Sequence, residues 1–242
     1  MRRTTFDSVA HIYDETRGLP EHVMKQLIKT LTRELSGYRT ILDAGVGTGR
    51  FAQPLQDSGF EVAGIDIAKK MVREAEKKGV GNLFLSDACR LPFRDESFDV
   101  AICIHLLHLI SEWKIALQEI CRVTRGVMVS MTHVHTNPMW KAYDQLSKRY
   151  GYQKSRPGKG EGELKNMVKP KSVSVASFET YADTRLGYLS ERAYSHQWKI
   201  PKDVNKKIVG ELRNEFAGQV FHQELRLLIW DTTDLKAFCA RS

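Results

Sequence analysis

Ile41-Leu42-Asp43-Ala44-Gly45-Val46-Gly47-Thr48-Gly49-Arg50 decides the fold. Two apolar residues end a short buried run, an acid follows, and three glycines then alternate with small residues. The pattern predicts a strand that runs into a tight glycine turn opening a helix. Glycine tolerates torsions that a Cβ resists and lets a ligand approach the main chain. A helix beginning near Thr48 points free N–H groups and the positive end of its dipole into that turn. The stretch therefore predicts a site for a small, partly anionic ligand, against the alternative of a glycine turn that binds nothing.

Spacing narrows the ligand. A dinucleotide fingerprint, G-x-G-x-x-G, needs its third glycine at position 50, where Arg50 stands; the third glycine here is Gly49. No Gly-Lys-Ser/Thr follows, so the phosphate-loop pattern fails as well. Asp43 is a poor neighbour for a pyrophosphate and suits a ligand carrying an ammonium group. Asp66 lies about 20 residues beyond the turn, where such folds place the acid that accepts both ribose hydroxyls. Its alternative role is to cap a helix over 68–78. Met71 belongs either on the adenine face or in the core.

A strand, Asp-x-Gly-x-Gly-x-Gly and a helix resemble motif I of class I S-adenosylmethionine-dependent methyltransferases. The stretch Asp87-Ala88-Cys89-Arg90-Leu91-Pro92-Phe93, continuing to Phe98-Asp99-Val100, is similar to that family's D-A-x-x-L-P-F-x-x-x-x-F-D-x-V segment. Tyr13-Asp14-x-x-Arg17 resembles the N-terminal Y-D-x-x-R of the type 11 group, related to ubiquinone and menaquinone biosynthesis methyltransferases. The resemblance implies a cofactor site made of Tyr13, Arg17, Asp43, Gly45, Gly47, Gly49, Asp66, Ile67, Met71, Asp87, Ala88 and His105. Within it Asp87 takes the adenine amino group, Ala88 offers its amide to the ring, and Tyr13 and Arg17 close over the amino-acid end. An ordinary helix terminus with a helpful arginine is the other reading of the Tyr13–Arg17 segment. Thr124-Arg125-Gly126 replaces the family's usual Lys-Pro-Gly-Gly, and Val46 stands where cysteine is common.

The implied fold is α/β: a Rossmann-like, seven-stranded, mostly parallel sheet with helices on both faces. Its last strand is antiparallel and inserted beside the sixth, with N-terminal helices and a helical cap added. Strands are expected at 39–43, 60–65, 82–85, 98–104, 126–131, 172–181 and 223–231. Residues 4–18 and 21–35 are expected to be helical, 154–163 a loop and 164–168 a short helix. The whole chain, 1–242, is expected to form one domain: a helical lid over 1–36, a cofactor-binding core over 37–135, cap helices and the sixth strand over 136–222, and a final strand and tail over 223–242.

His105 follows the fourth strand directly, where open parallel sheets place their ligands. It is the candidate catalytic residue, able to act as a base near neutral pH. His108 and His133 join it as substrate-pocket candidates, with Tyr188, Tyr194 and Trp198 as an aromatic wall beside His196; packing of the cap is the alternative for each.

Composition bounds the remaining classes. The chain has 242 residues, 42% hydrophobic and 27% charged, which is ordinary for a globular protein. No run approaches the roughly 18 apolar residues of a membrane helix, and no secretory signal follows Met1-Arg2-Arg3. Cys89, Cys103, Cys121 and Cys239 are scattered without a C-x-x-C pair, so neither metal nor disulfide is expected and a reducing cytoplasm suits the chain. The net charge of +8 admits nucleic acid, but the cations are spread along the chain and interleaved with acids. The expected reaction is in-line methyl transfer to a small-molecule acceptor. An RNA methyltransferase and a non-catalytic cofactor binder are the rivals; no Asn/Asp-Pro-Pro-Tyr/Phe motif follows the fourth strand.

Overall fold

Alternation along Ile41 and Leu42 sends one side chain to each face of the first strand, and each enters a different hydrophobic cluster. Burial on both faces calls for a central parallel strand covered by helices on both sides. The computed structural model, which describes residues 6–134, 137–153 and 160–241, builds that sheet. Its strands are β1 (Thr40–Ala44), β2 (Glu61–Asp66), β3 (Leu83–Leu85), β4 (Phe98–Ile102), β5 (Thr124–Val134), β6 (Ser172–Tyr181) and β7 (Val220–Asp231). They lie in the order β3-β2-β1-β4-β5-β7-β6. The pairs from β3 to β5 are parallel, whereas β7 runs antiparallel between β5 and β6. The expected sheet and its reversed last strand are present.

The helices are α1 (Tyr13–Arg17), α2 (Glu21–Glu34), α3 (Ala52–Asp57), α4 (Lys69–Lys77), α5 (Trp113–Val123), α6 (Pro138–Arg149), α7 (Glu161–Met167), α8 (Ala182–Ser190), α9 (Lys202–Phe216) and α10 (Thr232–Ala240). On one face α2 and α3 bury Val23, Leu27, Leu31 and Leu55 against Ile41, Val62 and Val100. On the other, α5 and α10 bury Trp113, Leu117, Ile120 and Leu235 against Leu42, Ile65 and Met128. A third cluster belongs to the cap, where Met139 and Tyr143 of α6, Leu186 and Leu189 of α8, and Ile208 and Leu212 of α9 pack together. None of the described helices is long and apolar enough to cross a membrane.

Several boundaries differ from the sequence expectation, each for a local reason. The first expected helix shrinks to a 3-10 turn at Ala10–Ile12 and the short α1, because the chain becomes extended at Gly18 ahead of Leu19-Pro20. β4 stops at Ile102, ahead of a left-handed residue, His105, with φ of 58°. β5 runs beyond the expected 126–131 because β7 pairs with it as far as Val134. β7 starts at Val220, which pairs with Tyr181 at the end of β6. Of the expected loop, 154–159 lie outside the described residues and Glu161 to Glu163 begin α7.

The Phe98-Asp99-Val100 segment has a structural role. Asp99 on β4 accepts hydrogen bonds from the amides of Arg39 (2.9 Å) and Thr40 (2.8 Å), and from the Thr40 hydroxyl (3.0 Å). Arg125 at the start of β5 pairs with it at 2.6 Å, so one carboxylate aligns the N-terminal ends of β1, β4 and β5. Burial raises its pKa, but the two amides, Arg125 and the Thr40 hydroxyl outweigh that and hold it down at about 2. A depressed carboxylate contributes stability above its ordinary pKa and loses it as pH falls towards 2. Asp99→Ala should cost about 1–3 kcal/mol by stranding these donors. In urea titrations the loss should be full at pH 7 and shrink below pH 4; an unchanged midpoint at pH 7 would remove the carboxylate from this role.

Candidate functional site

The glycine turn is fastened to the end of β2. The amides of Gly45 and Val46 donate to the carbonyl of Ile65 at 2.9 and 2.8 Å. The Gly47 amide donates to Asp66 Oδ2 at 3.0 Å, while Asp66 Oδ1 accepts the Ala68 amide at 2.8 Å. Each carboxylate oxygen has two acceptor positions, so Asp66 keeps capacity for a diol while holding the loop. Gly45 and Gly47 have φ of 80° and 55°, torsions that L side chains rarely adopt. Gly49, with φ of 75°, has a second reason to lack a side chain: a Cβ there would lie 2.7 Å from Val80 Cγ2, so it lets the following helix close on its neighbour. Val46 packs over Gly64 of β2, where a Cβ would lie 2.7 Å from Val46 Cγ2.

Electrostatics at the turn favour a cation. Asp43, at the end of β1, is 4% exposed. Burial first, and Asp66 second, push its pKa up to about 7, with partial relief from Arg50. Asp66 is raised too, by burial, against the lowering effect of the amides of Ala68, Gly47 and Ile67. An ammonium or sulfonium placed here would restore the charged form of Asp43. Among the described residues no group of three His, Cys, Asp or Glu side chains is arranged to hold a metal ion.

One cavity of about 770 Å³ opens over the turn. Its cofactor-like half is lined by Tyr13, Gly45, Gly47, Asp66, Ile67, Met71, Asp87 and Ala88. Ile67 is 40% exposed, an apolar side chain left uncovered inside a cleft. Asp87 caps its own turn by accepting the Cys89 amide at 3.0 Å. The other half is lined by His105, Leu106, Leu109 and Ile110 after β4, and by Tyr143, Asp144, Ser147, His196 and Lys199 of the cap. His105 lines the cavity directly after β4, with its ring stacked on His133 at 5.1 Å.

The remaining expected site residues lie off the cavity wall. Asp43 lies buried at the foot of the turn, and Gly49 serves packing. Arg17 clamps the lid to the cap: it donates to the Ala193 carbonyl at 2.8 Å, with its guanidinium 5.0 Å from the ring centres of both Tyr13 and Tyr194. Asp14 completes that attachment by accepting from the Thr48 hydroxyl at 2.6 Å and pairing with Lys78. His108 faces Glu161 at 3.6 Å; this carboxylate, 3% exposed, also accepts the amides of Leu106 (3.0 Å) and Leu107 (3.2 Å). His133 backs His105 without lining the cavity. Tyr188 and Tyr194 pack in the cap's own core, and Trp198 donates to the Arg192 carbonyl at 3.2 Å with its ring against Phe6. Of the aromatic wall only His196 reaches the cavity. Sequence reading missed Tyr143 and Ser147, whose i, i+4 spacing on one face of α6 was the available signal.

Residues 42–127 match the model of a family described as "Methyltransferase domain". The chain is 32% identical over 151 residues to a demethylmenaquinone methyltransferase of Beutenbergia cavernae, covering 61% of this chain and 62% of that protein. It is 30% identical over 132 residues to a malonyl-[acyl-carrier protein] O-methyltransferase of Hamiltonella defensa, covering 53% and 50%. The chain thus spans between half and two thirds of the length of these curated relatives. The crystal structure of the YcgJ protein of Bacillus subtilis matches with a TM-score of 0.59 at 23% identity, covering 87% of this chain and 99% of that one. That of magnesium protoporphyrin IX methyltransferase from Synechocystis, with bound S-adenosylhomocysteine, matches at 0.52 and 16%, covering 93% and 95%. At these identities the structures establish the shared fold.

The raised pKa of Asp43 has a measurable sign. Protonation of a raised carboxylate contributes stability below its ordinary value, and that contribution is lost as pH rises through about 7. Asp43→Asn in the ligand-free protein should therefore raise the melting temperature at pH 8 and leave it nearly unchanged at pH 4. Equal shifts at both pH values would show that Asp43 is ionised throughout.

Proposed function

We propose, from a chain whose residues 42–127 belong to the methyltransferase-domain family on a class I methyltransferase fold, that it transfers a methyl group from S-adenosylmethionine to a small-molecule acceptor. The observation that carries the reading is one cavity lined both by Gly45, Gly47, Asp66 and Asp87 and by His105 and residues of the cap. The donor set fits the cofactor. Buried Asp43 sits where a cation relieves its desolvation, Asp66 retains acceptor positions for a ribose diol, and Asp87 supplies acceptors alone, as an exocyclic amine requires. Ile67 and Met71 offer apolar surface for an adenine ring.

Bound there, the cofactor supplies a methyl carbon on a sulfonium, already activated towards nucleophiles. With that cofactor bound, the acceptor's nucleophilic atom would take the methyl carbon in line, the carbon–sulfur bond breaking with its electron pair left on sulfur. The protein's work is alignment and exclusion of water. Tyr13, held under the Arg17 clamp, covers the cofactor end, and the cap covers the acceptor end. His105 reaches the cavity from the end of β4 and takes the acceptor's proton where the nucleophile carries one. Its φ of 58° is a torsion sparsely populated by non-glycine residues, and such strain concentrates at functional sites.

Isothermal titration calorimetry with S-adenosylmethionine, S-adenosylhomocysteine and, as control, NADH tests the reading. The first two should bind in the micromolar range and the third not at all. Asp66→Ala should weaken both by about 1–3 kcal/mol, the cost of a lost charged hydrogen-bond partner. A folded variant with unchanged affinity would place the ribose elsewhere, and no binding of either cofactor to the wild type would sink the proposal.

A further inference from the structure

Two hydroxyls beside the acceptor half of the cavity carry a further inference. Tyr143 and Ser147 both line it from α6, and they are 1% and 5% exposed. Among the described residues neither hydroxyl meets hydrogen-bond geometry with a partner. Buried polar groups are nearly always paired, because an unpaired one keeps its full desolvation cost. Ser147 and Gln197 both lie beside the Tyr143 hydroxyl, and a bond between Tyr143 and Ser147 would still leave one of the two hydroxyl donors unspent. Gln197 lies beside Tyr143, but its amide hydrogens go to the Leu189 carbonyl (2.7 Å) and Asn205 Oδ1 (2.8 Å), and its Oε1 accepts the Tyr194 amide (3.1 Å). Ser147 makes no bond back to the preceding turn of its helix. The Tyr143 ring cannot turn away freely, since it packs edge-on against His196 at 4.9 Å and Trp140 at 6.2 Å. A fixed hydroxyl and a rotatable one, four residues apart on one helical face, wait under the cavity wall.

We infer, resting on the methyl-transfer reading above, that Tyr143 and Ser147 form the acceptor's specificity subsite and take a neutral hydrogen-bonding group on a largely apolar small molecule. A hydroxyl, carbonyl or carboxamide satisfies both residues, each of which can donate and accept. A charged group does not belong there. The buried surroundings push the Tyr143 pKa up to about 12, chiefly through desolvation, and desolvation disfavours an ion of either sign. The ionic residues of this half, Glu112, Asp144 and Lys199, are exposed or half-buried and of mixed sign, so they offer no buried counter-ion. Leu106, Leu109, Ile110 and Ile200 supply the apolar wall. The acceptor thus has two ends: a nucleophile presented near His105, and a neutral polar group held on α6.

An isosteric fragment series tests this on the full chain loaded with S-adenosylhomocysteine. Toluene, benzyl alcohol, benzamide, benzoate and benzylamine share one body and differ in the polar group; their dissociation constants are read by ligand-observed NMR. Benzyl alcohol and benzamide should bind at least fivefold more tightly than the other three. In the Y143F/S147A double variant that preference should collapse to less than twofold, with S-adenosylhomocysteine affinity unchanged within twofold. Melting of the ligand-free single variants adds an independent readout: Tyr143→Phe and Ser147→Ala should match or exceed the wild-type temperature, because each removes an unpaired buried hydroxyl. A preference for benzoate or benzylamine, a preference that survives the double substitution, an absence of fragment binding, or a melting temperature lowered by several degrees in both single variants would overturn the subsite. Failure of S-adenosylhomocysteine to bind would instead overturn the methyl-transfer reading, and the subsite with it.

Discussion

A single carboxylate ties the glycine turn to the sheet. Asp66 ends β2, and by accepting the Gly47 amide it fixes the turn that ends β1 against the strand beside it. The amides of Gly45 and Val46 rest on the carbonyl of Ile65, one residue earlier. With the turn so placed, Gly49 can close onto Val80 and Ala75, and Val46 can settle over Gly64. Loop shape, helix packing and the cofactor half of the cavity all follow from this attachment. Asp43 sits at the same place without the benefit of those amides, so its charge is left for a ligand to settle.

A second set of contacts joins parts of the chain far apart in sequence. Arg17 reaches from the lid to the Ala193 carbonyl, and Arg50 donates to the Arg17 carbonyl. Asp14 bonds the Thr48 hydroxyl next to the glycine turn. Lid, glycine turn and cap are thereby held to one another, although the lid's helix α1 has only five residues and could not persist alone. On the opposite wall Glu161 holds the amides after His105, so α7 of the later chain shapes the turn that presents the candidate base. At the far end of the sheet, Asp99 does comparable work for three strands.

The core was legible because its signals are local and periodic. Buried runs on parallel strands, three glycines at fixed offsets and an acid at the end of the next strand each constrain backbone geometry within a few residues. Gly45, Gly47, Asp66, Ile67, Met71, Asp87 and Ala88 consequently fall on one cavity wall. The cap was less legible. Tyr188, Tyr194 and Trp198 have the composition of a pocket wall, but large aromatic side chains serve packing equally well: Tyr188 and Tyr194 join the helical core of the cap, and the Trp198 ring lies against Phe6. Arg17 reads as a ligand contact through the resemblance carried by Tyr13-Asp14-x-x-Arg17, and sequence cannot show the carbonyl of Ala193, 176 residues away, that it bonds. Tyr143 and Ser147 were missed because a tyrosine and a serine on an amphipathic helix look ordinary until their partners are sought.

The separate core of the cap has a consequence for how substitutions combine. Residues of α6, α8 and α9 pack mainly on one another, whereas the sheet's two clusters pack on β1, β2, β4 and β5. Free-energy changes at sites that share no contacts add, and those that share them do not. Repacking within α6, α8 and α9 can therefore reshape the acceptor wall while leaving the glycine turn at its original stability, and the two halves of the cavity can drift at different rates. Additivity fails where the halves are stitched together, as at Arg17 with Ala193 and at Glu161 with Leu106 and Leu107, and such positions constrain both at once.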